Sequence, residues 1–292
     1  MVRRVGIAMA MMAAFGAAAL SWGSASGGGA TAASEWVVTD YARVRLISAR
    51  SGVGDRGQVP LGIQIRLAPE WKTYWRSPGE AGIPPRFDWS KSENLDAITI
   101  GWPAPVRYDA FGLETIGYKD EVIFPVTAVL EAPGKALSAR LTLGYAVCRD
   151  ICVPLKADLA LQVPEGAGSR TPFAALIKDF TARVPRLVPA DAAPKLPALQ
   201  KVCFEDHGSA GRLRVVLSGV EKSNGKGLFI EAGNDFGFEA PETVAVDEEG
   251  NIVMTVPVHR YRKRAELKDR PLRLTLVAGN GSFEWLSRLC SD

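Results

Sequence analysis

The sequence predicts a mainly β protein with two domains joined by a helix and a proline-rich linker. Three observations lead to this prediction. Short β-type segments broken by Gly and Pro run from Glu35 to about Pro164, one amphipathic segment follows, and β-type segments return from Lys201 onward. Many short strands without intervening helices are typical of antiparallel sandwiches. The length of 292 residues suits two ordinary domains.

The first predicted domain covers residues 35–165. Its candidate strands share apolar–polar alternation or an enrichment in β-branched residues, and they are 44–50, 59–68, 97–103, 121–132, 137–148 and 152–163. In "LSARLTLGY" (137–145), apolar residues occupy every second position and polar residues lie between them. This alternation places the apolar side chains on one face of a strand.

Residues 166–199 are predicted to form a helix and a linker. In "TPFAALIKDFTARVP", Thr171 is the expected N-cap and Pro172 the first helical residue. The apolar residues at helical spacing are Phe173, Leu176, Ile177, Phe180 and Val184. We expect this stripe to dock against a domain. "PRLVPADAAPKLPALQ" then reads as a proline-rich spacer.

The second predicted domain, residues 200–292, is a smaller β domain. Its candidate strands lie within 211–220, 227–233, 242–258 and 271–289, and "DEEGN" and "AGNG" are typical turns between strands.

The N-terminus predicts export. Residues 1–25 combine Arg3 and Arg4, an apolar run to about Leu20 and small residues suited to cleavage, as in a signal peptide. No later stretch is long and apolar enough to span a bilayer, so we expect no membrane insertion of the mature chain. Basic residues are scattered and the net charge is only +3, which argues against nucleic-acid binding.

Four cysteines in an exported chain indicate disulfides before metal binding. On one continuous strand, Cys148 and Cys152 would be about 13 Å apart. A bond between them therefore requires 149–151 to form a tight turn, because bonded Cα atoms lie within about 7 Å.

The two candidate disulfides differ in the size of the ring that each would close. The chain-entropy relation gives about 2 kcal/mol for a ring closed by Cys148 and Cys152, and about 4.6 kcal/mol for one closed by Cys203 and Cys290. The sequence therefore favours a structural Cys203–Cys290 bond and a functional Cys148–Cys152 couple. An inert hairpin disulfide remains an alternative.

Metal binding is a further alternative for the close pair, because two thiolates can hold Cu(I). A third ligand would be needed, and His207 and His259 both lie in the second domain. We therefore expect no metal site and no cofactor. With two histidines, no G-x-S-x-G and no P-loop, hydrolase and phosphate chemistry are unsupported. The acids Asp109, Glu114, Asp120 and Glu121 are solvated charges, or one of them is a proton relay.

Three segments resemble a known family. "WKTYWRSPGEAGIPPRFDW" (71–89), "WPAPVRYDAFGLETIGYKDEVIFPV" (102–126) and "LGYAVCRDICVPLKADLAL" (143–161) resemble the N-terminal periplasmic domain of the thiol:disulfide interchange protein DsbD, in its ScsB-like version. The resemblance implies an immunoglobulin-like β-sandwich, followed by a second, smaller β-sandwich-like domain. It also implies periplasmic localisation.

The resemblance further implies roles for individual residues. Cys148 and Cys152 match the redox couple, with Cys152 forming the mixed disulfide and Cys148 resolving it. "YDAFGLE" matches a cap loop that shields the disulfide, which makes Phe111 the cap, with Tyr108 and Leu113 beside it. A core aromatic is the alternative for Phe111, and the composition of this segment does not favour a strand. Tyr74 and Trp75 line the same site or belong to the core.

The expected function is thiol–disulfide exchange. Electrons would pass from a membrane-embedded thiol reductase, and from thioredoxin-like periplasmic proteins, through the couple to periplasmic substrate proteins. The chain ends at Asp292 without a membrane-spanning conduit, so the reductase is expected to be a separate protein. The C-x3-C spacing is shorter than in the best-known DsbD. The alternative is a periplasmic copper-binding or partner-binding module with a structural disulfide. The sequence does not fix the oligomeric state.

Overall fold

The structure, a computed structural model, describes residues 32–80, 82–110, 112–189, 196–207, 210–221, 227–233, 235–261, 266–268, 270–279 and 281–290. The predicted signal peptide lies outside these residues. The fold is mainly β with two sandwiches, which confirms the predicted fold class. No helix in the described ranges has the length and apolar character needed to cross a bilayer.

The first sandwich consists of two facing sheets. Its strands are β1 (Val37–Val38), β2 (Ala42–Ser48), β3 (Gln58–Leu67), β4 (Lys72–Gly79), β5 (Arg86–Asp88), β6 (Ala97–Ile100), β7 (Val106–Ala110), β8 (Leu113–Lys119), β9 (Glu121–Val129), β10 (Leu137–Cys148) and β11 (Cys152–Val163). One sheet has the order β1-β2-β3-β9-β6 and the other β11-β10-β4-β8-β7, with β5 paired to β10.

The alternation read from the sequence is the physical basis of this core. Along β10, Leu141, Leu143 and Tyr145 are buried whereas Arg140 is exposed. Between the sheets, Phe124 packs edge-on against Trp102 and Tyr118, with ring centroids 5.0 and 5.5 Å away. Such offset contacts are the favoured geometry of aromatic pairs.

Helix α1 (Ala174–Ala182) covers the outside of the first sheet. Ile177 and Phe180 are buried against the first core, as the apolar stripe predicts. Gly62 makes room for the helix, because a Cβ there would lie 3.2 Å from Ile177 Cγ1. The prediction of Thr171 as N-cap is wrong: Phe173 holds that position. The Thr171 hydroxyl instead closes the preceding turn, accepting from the Phe173 N–H and donating to the carbonyl oxygen of Ser48.

The second sandwich is built from the remaining strands. These are β12 (Arg186–Leu187), β13 (Ala198–His207), β14 (Ala210–Ser218), β15 (Leu228–Glu231), β16 (Phe236–Phe238), β17 (Thr243–Val246), β18 (Ile252–Arg260), β19 (Leu272–Ala278) and β20 (Gly281–Ser287). The sheet orders are β12-β20-β19-β15 and β13-β14-β18-β16, with β17 paired to β18. Two residues of the predicted linker, Arg186 and Leu187, thus pair with β20 of the second sandwich.

A disulfide ties the second sandwich together. Cys203 in β13 is bonded to Cys290, which follows β20, and their Cα atoms are 5.1 Å apart. The Cys290 N–H also donates to the carbonyl oxygen of Val202 over 2.8 Å. The bond therefore holds the last described segment against the edge strand β13.

Candidate functional site at the Cys148–Cys152 hairpin

The two close cysteines face each other where β10 turns into β11. Cys148 is the last residue of β10, Cys152 is the first of β11, and the two are partners in the strand register. Residues 149–151 form the tight turn that a bond requires, with the Arg149 N–H donating to the carbonyl oxygen of Ile151. The cysteines are disulfide-bonded, with Cα atoms 4.2 Å apart.

The two cysteines differ in access. Cys148 is only 5% exposed, whereas Cys152 is exposed and its neighbour Ile151 is 63% exposed. Exchange requires a thiolate to approach a sulfur atom from outside. The geometry therefore offers an incoming thiol Cys152 rather than Cys148.

Tyr74 of β4 contacts the accessible cysteine. Its hydroxyl lies 3.0 Å from Cys152 Sγ, and its ring packs with Ala146 and Cys148. Gly82 leaves space for this ring, since a Cβ there would come within 2.7 Å of it. Burial raises the pKa of Tyr74, so the hydroxyl stays protonated and can donate to sulfur. The sequence left the place of Tyr74 open between the site and the core.

Arg149, next to Cys148, is engaged by acids. Its Nε is 2.7 Å from Asp150 and its Nη1 is 3.9 Å from Glu70. Its guanidinium also lies 5.6 Å from the Trp71 ring. Arg149 is thus engaged with carboxylates and an aromatic face, whereas the Tyr74 hydroxyl contacts the Cys152 sulfur directly.

The predicted cap segment is a β-hairpin, not a loop. Tyr108 lies in β7 and Leu113 in β8, and Ala110 pairs with Leu113 across the turn. The expectation that this segment avoids strand structure was wrong because Gly112 adopts a φ of 79°, which permits a two-residue turn. Asp109 Oδ1 accepts the Gly112 N–H over 3.2 Å. Phe111, the predicted cap, lies outside the described residues.

Strand order brings this hairpin near the disulfide. Only β4 separates β8 from β10 in the sheet. Lys72 of β4 pairs with Cys148, and its Nζ lies 4.9 Å from the centre of the Tyr108 ring. Burial, followed by the charge of Asp120, raises the pKa of Tyr108. Leu113 is 43% exposed at the hairpin tip.

Two of the predicted acids form ion pairs. Glu114 pairs with Arg107 over 2.8 Å, and Glu121 pairs with Arg66 over 2.5 Å. One group of three potential metal ligands occurs among the described residues: Glu80, Glu239 and His259, whose ligand atoms lie within 4.8 Å of one another. It straddles the two sandwiches and includes neither Cys148 nor Cys152. Its His259 Nε2 already contacts Glu239.

Comparison with known proteins identifies the first sandwich. Residues 44–164 match the family model "Thiol:disulfide interchange protein DsbD, N-terminal". The first sandwich is therefore similar to the N-terminal domain of DsbD. This domain contains both members of the Cys148–Cys152 pair, Tyr74 and the hairpin of β7 and β8.

The fold likeness extends beyond that domain. The crystal structure of the N-terminal periplasmic domain of ScsB from Proteus mirabilis matches with a TM-score of 0.66 and 22% sequence identity, covering 89% of this chain and 99% of that one. The two proteins therefore share a fold across both sandwiches. A search of curated proteins found no match.

Sequence reasoning did not predict the contacts between the second sandwich and the first. Arg76 and Arg107 bind groups of the second sandwich, although isolated arginines in a β-type sequence carry no such signal. The one hint was position, because each arginine lies within two residues of a tyrosine at the site.

Proposed function

We propose that this chain is a periplasmic thiol–disulfide exchange protein. It passes electrons through the Cys148–Cys152 couple from a membrane-embedded thiol reductase, or from thioredoxin-like proteins, to periplasmic substrate proteins. The observation that carries the proposal is the asymmetric pair: an exposed Cys152 and a buried Cys148 at a hairpin tip of a domain similar to the N-terminal domain of DsbD. A periplasmic location also agrees with the periplasmic origin of the similar ScsB domain.

The proposed reaction is two successive sulfur displacements. The Cys152 thiolate attacks one sulfur of a substrate disulfide, which forms a mixed disulfide and releases one substrate thiolate. The Cys148 thiolate then attacks Cys152 Sγ, which closes the Cys148–Cys152 bond and releases the second substrate thiolate. Two electrons pass to the substrate, whose thiolates take up protons from solvent. The membrane-embedded reductase reverses these steps on this chain.

Tyr74 supports the accessible cysteine in this scheme. A neutral hydroxyl 3.0 Å from Cys152 Sγ donates most strongly when the sulfur carries a negative charge. Tyr74 thus stabilises the Cys152 thiolate, both as nucleophile and as leaving group.

The hairpin of β7 and β8 is proposed to shield the bond. Tyr108 lies against Lys72, the register partner of Cys148, and Leu113 is exposed at the end of β8 nearest the turn. A protein that must exclude small thiols and admit a partner requires a cover that moves. A hairpin closed by Gly112 and held at its base by strand pairing meets that need.

Trapping the mixed disulfide tests the proposal. Reduced Cys148→Ser protein, incubated with oxidised glutathione, should keep one glutathione on Cys152, because no second thiol is available to displace it. Wild-type protein should instead close its own disulfide. Cys152→Ser is the matched control and should react more slowly, because Cys148 is buried. Equal adduct formation on both variants would contradict the assigned roles.

A further inference from the structure

Arg76 of β4 lies between two carboxylates of the second sandwich. Its Nη2 is 2.8 Å from Glu231 Oε2, its Nε is 3.0 Å from Glu231 Oε1, and Glu284 contacts the same Nη2. The side chains of Arg76, Glu231 and Glu284 are 19%, 16% and 9% exposed. Largely buried charges are stable only when paired. This contact therefore constrains how the two sandwiches meet.

Phe229, two residues before Glu231 in β15, forms a second contact with the first sandwich. It is 3% exposed, and its ring lies 5.7 Å from that of Trp75 and 4.1 Å from the guanidinium of Arg107. Arg107 Nη2 also donates to the carbonyl oxygen of Leu228 over 2.7 Å, while its Nε pairs with Glu114. The short strand β15 thus contacts β4 directly and, through Arg107 and Glu114, both strands of the cap hairpin.

These contacts lie next to the redox groups along the chain. Arg76 is two residues beyond Tyr74 in β4, and Arg107 precedes Tyr108 in β7. β4 and β8 pack closely, since a Cβ on Gly117 would lie only 1.9 Å from the carbonyl oxygen of Thr73. A displacement of β4 is therefore transmitted to β8, and with it to the cap hairpin.

We propose that the second sandwich positions the redox site, with Arg76 and Arg107 as positioning residues held by β15. The contacts of Phe229 and Glu231 keep the Tyr74 hydroxyl at Cys152, and they keep Tyr108 of the hairpin of β7 and β8 against Lys72, the register partner of Cys148. The second sandwich thus helps to maintain the geometry of the exchange site. The proposal rests on the exchange function proposed above.

The test uses Glu231→Gln and Phe229→Ala in the full chain, with two measurements. The first is the rate at which glutathione opens the oxidised Cys148–Cys152 bond, followed by mass spectrometry. The second is the pKa of the Cys152 thiol in the reduced protein, from the pH dependence of alkylation. Because a loosened hairpin admits small thiols, both variants should be reduced faster, Phe229→Ala by about tenfold. The pKa of Cys152 should rise, because a charge-assisted hydrogen bond is weakened.

Matched controls separate positioning from general destabilisation. Glu242→Gln makes the same change in the exposed Glu242–Arg212 pair of the second sandwich. Leu213→Ala removes a fully buried side chain of β14, in the other sheet of the second sandwich. Both controls should leave the reduction rate within about twofold of wild type and the pKa of Cys152 unchanged. Circular dichroism verifies folding, and Glu231→Gln decides the test if Phe229→Ala does not fold.

Two failures are distinguishable. If the wild-type Cys148–Cys152 bond resists glutathione altogether, the exchange function fails and this inference with it. If the bond opens reversibly in wild type but folded Glu231→Gln and Phe229→Ala match it in rate and in the pKa of Cys152, the exchange function stands. The positioning role of the second sandwich is then overturned.

Discussion

The chain carries two disulfides that differ in ring size and in surroundings. Cys148–Cys152 closes a sequence separation of 4 at a hairpin tip, whereas Cys203–Cys290 closes a separation of 87 between β13 and the segment after β20. The chain-entropy relation assigns them about 2 and 4.6 kcal/mol of stabilisation. The first bond joins residues that the turn already holds together, and the second joins residues that no local structure connects.

The two disulfides also differ in the exposure and the contacts of their cysteines. Cys152 is exposed and contacts the Tyr74 hydroxyl, while Cys203 and Cys290 are both half-buried at the edge of a sheet. The difference teaches that the role of a disulfide follows from what else holds its two ends. A bond that adds little stability can open without unfolding the domain around it.

The largest expected effect comes from replacing the accessible cysteine. Cys152→Ser should lower the rate at which reduced protein is oxidised by glutathione disulfide by about 10³-fold or more, because it removes the nucleophile. Stopped-flow tryptophan fluorescence or quenched mass spectrometry measures this rate. The double variant Cys203→Ser/Cys290→Ser should keep the wild-type rate if it is assayed at a temperature where it is folded. A comparable loss in that variant would contradict the division between the two bonds.

Stability should show the opposite order. The Cys203→Ser/Cys290→Ser variant should lose about 4.6 kcal/mol of unfolding free energy, and Cys148→Ser/Cys152→Ser about 2 kcal/mol. Urea unfolding, followed by the fluorescence of each sandwich, measures both losses. An equal or reversed order would show that the local ring contributes more than closure entropy allows.

A smaller effect is expected at Tyr74. Tyr74→Phe removes the hydroxyl beside Cys152 Sγ, so the pKa of the Cys152 thiol should rise and its attack should slow by about tenfold at neutral pH. Alkylation rates across pH 5 to 10 measure the pKa. Tyr145→Phe is the matched control, because Tyr145 lies in the first core. If Tyr74→Phe and Tyr145→Phe give the same pKa for Cys152, Tyr74 has no role in tuning it.

The last expected effect is confined to high pH and concerns the stability of the first sandwich. Burial raises the pKa of Tyr145 to about 12 from an ordinary value of 10.0. Between these values the folded state keeps a proton that the unfolded state loses, so the stabilisation is complete below pH 10 and is lost as the pH rises toward 12. Urea midpoints between pH 9 and 12 should therefore fall, and less steeply in Tyr145→Phe. Identical slopes would contradict this assignment.

Much of the fold could be predicted because short-range patterns determine it. The alternation along β10, the apolar stripe of α1 and the turn at 149–151 are all local in sequence. The candidate strands for β2, β3, β9, β10 and β11 overlap the observed ones closely. The hairpin of β7 and β8 was missed because a single glycine with positive φ decides it, and composition alone suggested a loop.

The site was only partly predictable for a similar reason. The spacing of Cys148 and Cys152 indicated a candidate couple, and ring entropy separated its expected role from that of Cys203 and Cys290. The placement of Tyr74 at Cys152, of Trp75 in the core and of Arg76 at the second sandwich depends on three successive residues of β4, next to a register shift. The alternation of apolar and polar residues does not predict which residues these three side chains contact, because their contact partners lie far away in the sequence.

The most direct test of the central claim is a redox titration of the purified protein against glutathione, with mass spectrometry assigning each thiol. We predict that Cys148–Cys152 opens and closes reversibly at a potential well above about −300 mV, the region of structural disulfides, while Cys203–Cys290 stays closed. If both bonds resist reduction together, the hairpin bond is a structural crosslink and the exchange function is contradicted.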